Sequence, residues 1–166
     1  LVEGIIDSAT SIGHIHLKVS DLARAEAFYR DVFGFEVMAR YGAEASFLSA
    51  GGYHHHIGLN TWQSKGGPPS PARSTGLFHF AILVPNRLEL ARAVKRILDH
   101  DVPLDGMADH GVSEAIYLHD PDGNGIEIYR DRPRAEWPHD SDGSLAMTTT
   151  PLDFEGLMSE LDVARA

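Results

Sequence analysis

The sequence predicts an α+β fold: two tandem β-α-β-β-β modules forming a half-open mixed β-barrel around a central cleft, with the helices outside. Three observations carry this expectation. Two strand-like segments match, Ile12-Gly13-His14-Ile15-His16-Leu17-Lys18-Val19 and Leu77-Phe78-His79-Phe80-Ala81-Ile82-Leu83-Val84, each with a histidine in third place. Each is followed by a helical stretch and then by three more strand-like segments. The two copies are 65 residues apart, counted from His14 to His79, and repetition of a whole unit outweighs any single motif.

The elements of the first copy follow from periodicity. Ile15, Leu17 and Val19 alternate with His14, His16 and Lys18, so the two sets face opposite sides of a strand. Ser20-Asp21 offers an N-cap, Leu22, Ala25, Phe28, Tyr29 and Val32 recur at helical spacing, and Gly34 can stop the helix. Residues 35–41, 45–50 and 55–61 read as strands separated by Gly42 and Gly51-Gly52. In the second copy, Asn86 caps a helix carrying Leu88, Leu90, Ala91, Val94, Ile97 and Leu98. Residues 102–107, 115–119 and 125–130 are its three later strands, the last two joined by the turn Asp120-Pro121-Asp122-Gly123-Asn124-Gly125.

The resulting organisation is a linker over 1–11, module one over 12–61, a Ser, Gly and Pro-rich linker over 62–76, module two over 77–131, and a tail over 132–166. Within the tail, Thr150-Pro151 is placed to start a short helix with Phe154, Leu157, Met158 and Leu161 on one face. The two sheets are expected to pack edge to edge, with His14 and His79 facing the concavity and the helices covering the apolar faces.

Composition narrows the function. A length of 166 residues suits one compact domain or two small modules, with about two-thirds of the unfolded surface buried. The net charge of −10 argues against nucleic acid as the main partner. Without cysteine there is no disulfide and no thiolate metal site, which fits a cytoplasmic location. No apolar run reaches the ~20 residues of a membrane helix.

The candidate chemistry lies in His14, His79 and Glu127. Glu127 sits between Ile126 and Ile128, on the face away from the helix-covered side. A carboxylate enclosed in a cleft is costly without a partner, and a bound cation or a pair with Arg130 or Arg132 would remove that cost. Two imidazoles and one carboxylate, each from its own strand, leave coordination positions free on an octahedral metal. The absence of sulfur suits Fe(II) or Mn(II) better than a closed structural zinc site. Glu127 follows His79 by 48 residues, and the matching strand of module one, His56-Ile57-Gly58-Leu59, has Gly58 in that place. Glycine offers no side-chain ligand, so a symmetric four-ligand centre is disfavoured.

The segments GHIHLKVSDLARAEAFYRDVFGFEV, LFHFAILVPN and HGVSEAIYLHDPDGNGIEIYRDRP resemble the vicinal oxygen chelate superfamily of glyoxalase I, bleomycin-resistance proteins and extradiol dioxygenases. They are most similar to the catalytic C-terminal half of catechol 2,3-dioxygenase-like proteins. The resemblance covers residues 12–133 and implies Fe(II), or Mn(II), held by His14, His79 and Glu127. It implies an acid-base histidine at His55, within the run His54-His55-His56, a catalytic tyrosine at Tyr117 and a substrate-side histidine at His110. It also implies a catechol-type diol and O2 as substrates, ring opening beside the diol, and an upstream module pair to which residues 1–11 would connect. A homodimer is compatible with the final helix. Two alternatives belong to the same fold: a glyoxalase-type metal lyase or isomerase, and a metal-free small-molecule binding protein.

Overall fold

The structure, a computed structural model, describes residues 4–71 and 73–164. Residues 1–3 of the expected leading linker, residue 72 of the second linker and residues 165–166 of the tail lie outside the described residues. The chain divides into two compact units. One runs up to Arg30 and resumes over Gly34–Gly67; the other takes Asp31–Phe33 and the chain from Pro68 onward.

The first unit holds β1 (Ile15–Lys18), α1 (Leu22–Ala27), β2 (Glu36–Tyr41), β3 (Ala45–Ser49) and β4 (Ile57–Asn60); α1 runs on into a π-helical turn (Phe28–Val32) whose Asp31 and Val32 count with the second unit. Its open sheet has the order β1-β4-β3-β2. The pairing of β1 with β4 is parallel, and the other two pairings are antiparallel. Asp21 caps α1 by accepting a hydrogen bond from the Arg24 backbone N–H. The helix packs on β3 and β4, and Leu17, Val19, Ala25, Tyr29, Leu48, Ile57 and Leu59 form the core.

One buried polar group belongs to this packing. Glu26 on α1 is 8% exposed. Its carboxylate accepts two hydrogen bonds from the Arg40 guanidinium and one from the Ser46 hydroxyl. The bidentate bond from Arg40 is the main reason its carboxyl is held below the usual carboxylate range, against the opposing effect of burial.

The second unit repeats the order with β5 (Phe80–Leu83), α2 (Arg87–Asp99), β6 (Gly106–Asp109), β7 (Ser113–His119), β8 (Gly125–Asp131) and a further helix, α3 (Phe154–Val163). Its open sheet has the order β5-β8-β7-β6, with β5 and β8 parallel. Leu90, Ala91, Val94 and Ile97 of α2 are buried, as are Ile116, Leu118, Ile126 and Ile128 of the sheet and Leu157 of α3. Glu114, 3% exposed, accepts hydrogen bonds from Arg87, Arg130 and Arg132. Arg87 also donates to the Gly156 carbonyl and to Glu160, joining α2, β7, β8 and α3 in one ionic network. Arg132 further pairs with Asp109. The arginines named as possible partners of Glu127 are thus used by Glu114 and Asp109.

Three element boundaries differ from expectation for physical reasons. Pairing begins at Ile15 and Phe80, so His14 and His79 stand just ahead of their strands rather than inside them. The strand expected over 102–107 lies instead at Gly106–Asp109. Pro103 has no N–H to give to a ladder, while Asp109 gains a partner in Thr150. That same bridge takes Thr150 out of the final helix, whose cap is Asp153, accepting from the Gly156 N–H.

Candidate active site

In the second unit the site grows from strand register. Glu127 on β8 lies between Ala81 on β5 and Tyr117 on β7. Cross-strand partners project their side chains to one face, and His79, two residues before Ala81, projects to that face as well. His79 Nε2 stands 3.0 Å from Glu127 Oε2. Gly125 permits this approach, since a Cβ there would stand 2.2 Å from the Phe78 carbonyl oxygen.

Tyr117 and His110 extend the group. The Tyr117 hydroxyl is 3.3 Å from Glu127 Oε1 and 2.7 Å from His110 Nε2. Burial, and then the negative charge of Glu127, push the Tyr117 phenol up to about 12, so it keeps its proton at neutral pH. His110 Nδ1 lies 2.9 Å from the Thr148 carbonyl oxygen. His79, Glu127, Tyr117 and His110 therefore form a continuous polar chain on the sheet face of one unit.

In the first unit His14 is exposed and packs its ring on His55, with centroids 4.4 Å apart. His55 also meets the edge of Phe47, and its Nδ1 is 2.8 Å from Nδ1 of His54. Burial is the first cause that lowers the His55 pKa, followed by the charges of His14, His54, His16 and His56. All favour the neutral imidazole, the form able to accept a proton. His56 turns elsewhere: its Nδ1 meets the Ser49 hydroxyl and the Ala50 N–H. Tyr53 packs on His54 and His56. Of the three consecutive histidines, His55 is the one whose ring packs on His14.

The two units are chemically unequal at matching positions. Gly58 pairs with His16 and Phe47, as Glu127 pairs with Ala81 and Tyr117. Where the second unit has a small residue beside a glutamate, the first has a histidine beside a glycine. A Cβ on Gly58 would stand 3.0 Å from the His16 ring. The imidazole of His16 thus covers the place where a side chain at position 58 would begin, and Phe47 stands in the register position that Tyr117 holds in the second unit. His16 was readable as a neighbour of His14; its role as the filler over Gly58 appears only when strand pairings are compared.

Both atoms of the His79–Glu127 pair suit a hard or borderline divalent cation. Ligand atoms about 2.1 Å from one ion and at right angles to each other stand ~3.0 Å apart. Among the described residues, no group of three or more His, Cys, Asp or Glu side chains stands together as a metal cage. His79 and Glu127 are the pair that the second unit brings together, and His14 belongs to the first.

An α+β chain of two repeated β-α-β-β-β units, with a histidine ahead of each first strand and a glutamate on one last strand, defines the class. The chain belongs to the Glyoxalase/Bleomycin resistance protein/Dioxygenase superfamily, whose model matches residues 11–128. It is 44% identical over 156 residues to a catechol-2,3-dioxygenase of Bacillus subtilis (strain 168), covering 93% of this chain and 53% of that one. It is 28% identical over 120 residues to biphenyl-2,3-diol 1,2-dioxygenase 3 of Rhodococcus globerulus, covering 72% of this chain and 63% of that one. The chain therefore spans little more than half the length of these curated relatives. Among solved structures, a glyoxalase/dioxygenase from Nostoc punctiforme superposes with a TM-score of 0.62 at 19% identity, covering 80% of this chain and all of that one; this likeness supports the fold. Among the described residues no helix is long and apolar enough to cross a membrane.

Proposed function

We propose that this chain is a metal-dependent extradiol dioxygenase that opens a catechol-type ring beside its two hydroxyls, using O2. The metal ligands are His14, His79 and Glu127, the catalytic groups are His55 and Tyr117, and His110 lies on the substrate side. The observation that carries the reading is the cluster in which His79 and Tyr117 both approach Glu127 and Tyr117 meets His110. Similarity to two proteins named as dioxygenases of aromatic diols supports it. The module boundaries 12–61 and 77–131 form part of the same proposal.

A bound Fe(II) or Mn(II) would supply Lewis acidity toward the diol and a route for electrons from the ring to O2. The protein's own residues do the rest. His55, held neutral, takes a proton from a diol hydroxyl. Tyr117, held protonated, keeps its proton in a hydrogen bond to His110 in the resting fold and can turn it toward substrate oxygen as charge develops there. The overall change balances without an external reductant: one ring C–C bond breaks and both oxygen atoms of O2 enter the product, a muconic semialdehyde.

The test is anaerobic loading with Fe(II) or Mn(II), titration with catechol, and admission of oxygen. Stoichiometric metal, a catecholate spectrum and a yellow ring-opened product are expected. Turnover of a hemithioacetal instead of catechol would replace this reading with a glyoxalase-type one.

A further inference from the structure

The C-terminal segment is tied to β6 beside His110. Asp109 and Thr150 exchange both backbone hydrogen bonds, at 2.9 and 3.0 Å, and the Thr148 N–H donates to the His110 carbonyl at 3.0 Å. The same residue returns a bond to the His110 side chain, because its carbonyl oxygen lies 2.9 Å from Nδ1. A carbonyl can only accept, so Nδ1 must carry the proton. The Thr149 hydroxyl, at 3.4 Å from Nδ1, is a longer second contact.

This fixes the rest of the chain by hydrogen counting. A neutral imidazole protonated at Nδ1 has a lone pair at Nε2. The Tyr117 hydroxyl has one proton and two neighbours, His110 Nε2 at 2.7 Å and Glu127 Oε1 at 3.3 Å. The shorter distance is that of a strong O–H hydrogen bond, and the longer one lies beyond the usual range. The proton therefore points to His110. The neutral histidine side chain in water prefers its proton on Nε2, and that form would present Tyr117 with a competing N–H.

We propose that the segment Thr148–Thr150 is a positioning element of the active site: the Thr148 carbonyl selects the Nδ1–H tautomer of His110 and so turns Nε2 into the acceptor for the Tyr117 proton. The idea rests on the proposed function only for its catalytic use, since the tautomer is a property of the metal-free fold. It makes a backbone atom nearly forty residues downstream in the chain a partner of the site, in the way that outer partners of metal sites orient the groups they touch.

The test is nitrogen NMR of histidine-labelled, metal-free protein at pH about 8, above the ordinary imidazole range. His110, identified by its loss in His110→Gln, should show a protonated Nδ1 and an unprotonated Nε2. Thr148→Ser keeps the backbone carbonyl and should leave that pattern unchanged. Thr148→Pro removes the N–H that holds the segment to His110 and should move the proton to Nε2. In the enzyme assay Thr148→Pro should lower kcat about 10- to 100-fold with metal content retained. Wild-type protein with the proton on Nε2 would overturn the proposal, as would a folded Thr148→Pro chain that keeps it on Nδ1. If Thr148→Pro does not fold, the wild-type pattern decides. An Nδ1–H form in a chain that opens no catechol would uphold this inference while contradicting the proposed function.

Discussion

Each candidate residue is defined by what touches it. Glu127 meets His79 and Tyr117, while its nearby arginines are spent on Glu114 and Asp109. His55 packs on His14 and has its pKa lowered by burial and by four neighbouring histidines. His55→Ala should therefore retain bound metal, measured by elemental analysis, yet slow ring opening by roughly 10²–10⁴-fold. Full activity in that variant would move the base elsewhere in the histidine run. The candidacy of His14, His79 and Glu127 was legible in the sequence, since matching strands and one carboxylate between isoleucines mark them. The tautomer of His110 was not, because it depends on Thr148, distant in sequence and met only through the fold.

At the scale of elements, the comparison of equivalent strands shows what accompanies the glutamate in one unit and the glycine in the other. The exchange of Gly58 with His16 for Glu127 with Ala81 follows from matching register. Gly58→Ala should cost about 1–3 kcal/mol by forcing the His16 ring aside, read as a shift in thermal or urea unfolding. His16→Ala should make the same substitution nearly harmless, and a double-mutant cycle would expose the coupling. Independent, additive effects would contradict the packing account. Gly125→Ala meets backbone rather than a side chain, so its cost should be no smaller, and the displaced His79 should weaken metal binding. The strand and helix types were readable from alternation and capping. The start of β6 was not, because the apolar pattern of 102–107 conceals a proline that cannot join a ladder and a Thr150 partner far along the chain.

At the scale of the whole molecule, each unit is held by a buried carboxylate that accepts from arginine. In the first, Glu26 has a folded pKa below its unfolded value near 4.5. The folded state thus binds fewer protons than the unfolded one in the acid window below that value. Its stabilisation is complete above the unfolded pKa and lost as pH falls through the folded one. Glu26→Gln should cost about 1–2 kcal/mol at pH 7, and the difference from wild type should shrink as acid is added. A pH-independent difference would mean that the charge of Glu26 contributes nothing. In the second unit, Arg87→Ala leaves Glu114 with fewer donors and releases Gly156 and Glu160 of α3, a loss of about 3 kcal/mol. Neither Glu26 nor Glu114 stands out in sequence, where each is one acidic residue among 24.

The central claim is that His14, His79 and Glu127 hold one catalytic metal. It is tested most directly by iron or manganese stoichiometry after anaerobic loading and desalting, in wild type beside His14→Ala, His79→Ala and Glu127→Ala. One ion per wild-type chain, with loss in all three variants, is the result the account predicts. Retention of a full equivalent by any one of the variants would contradict it.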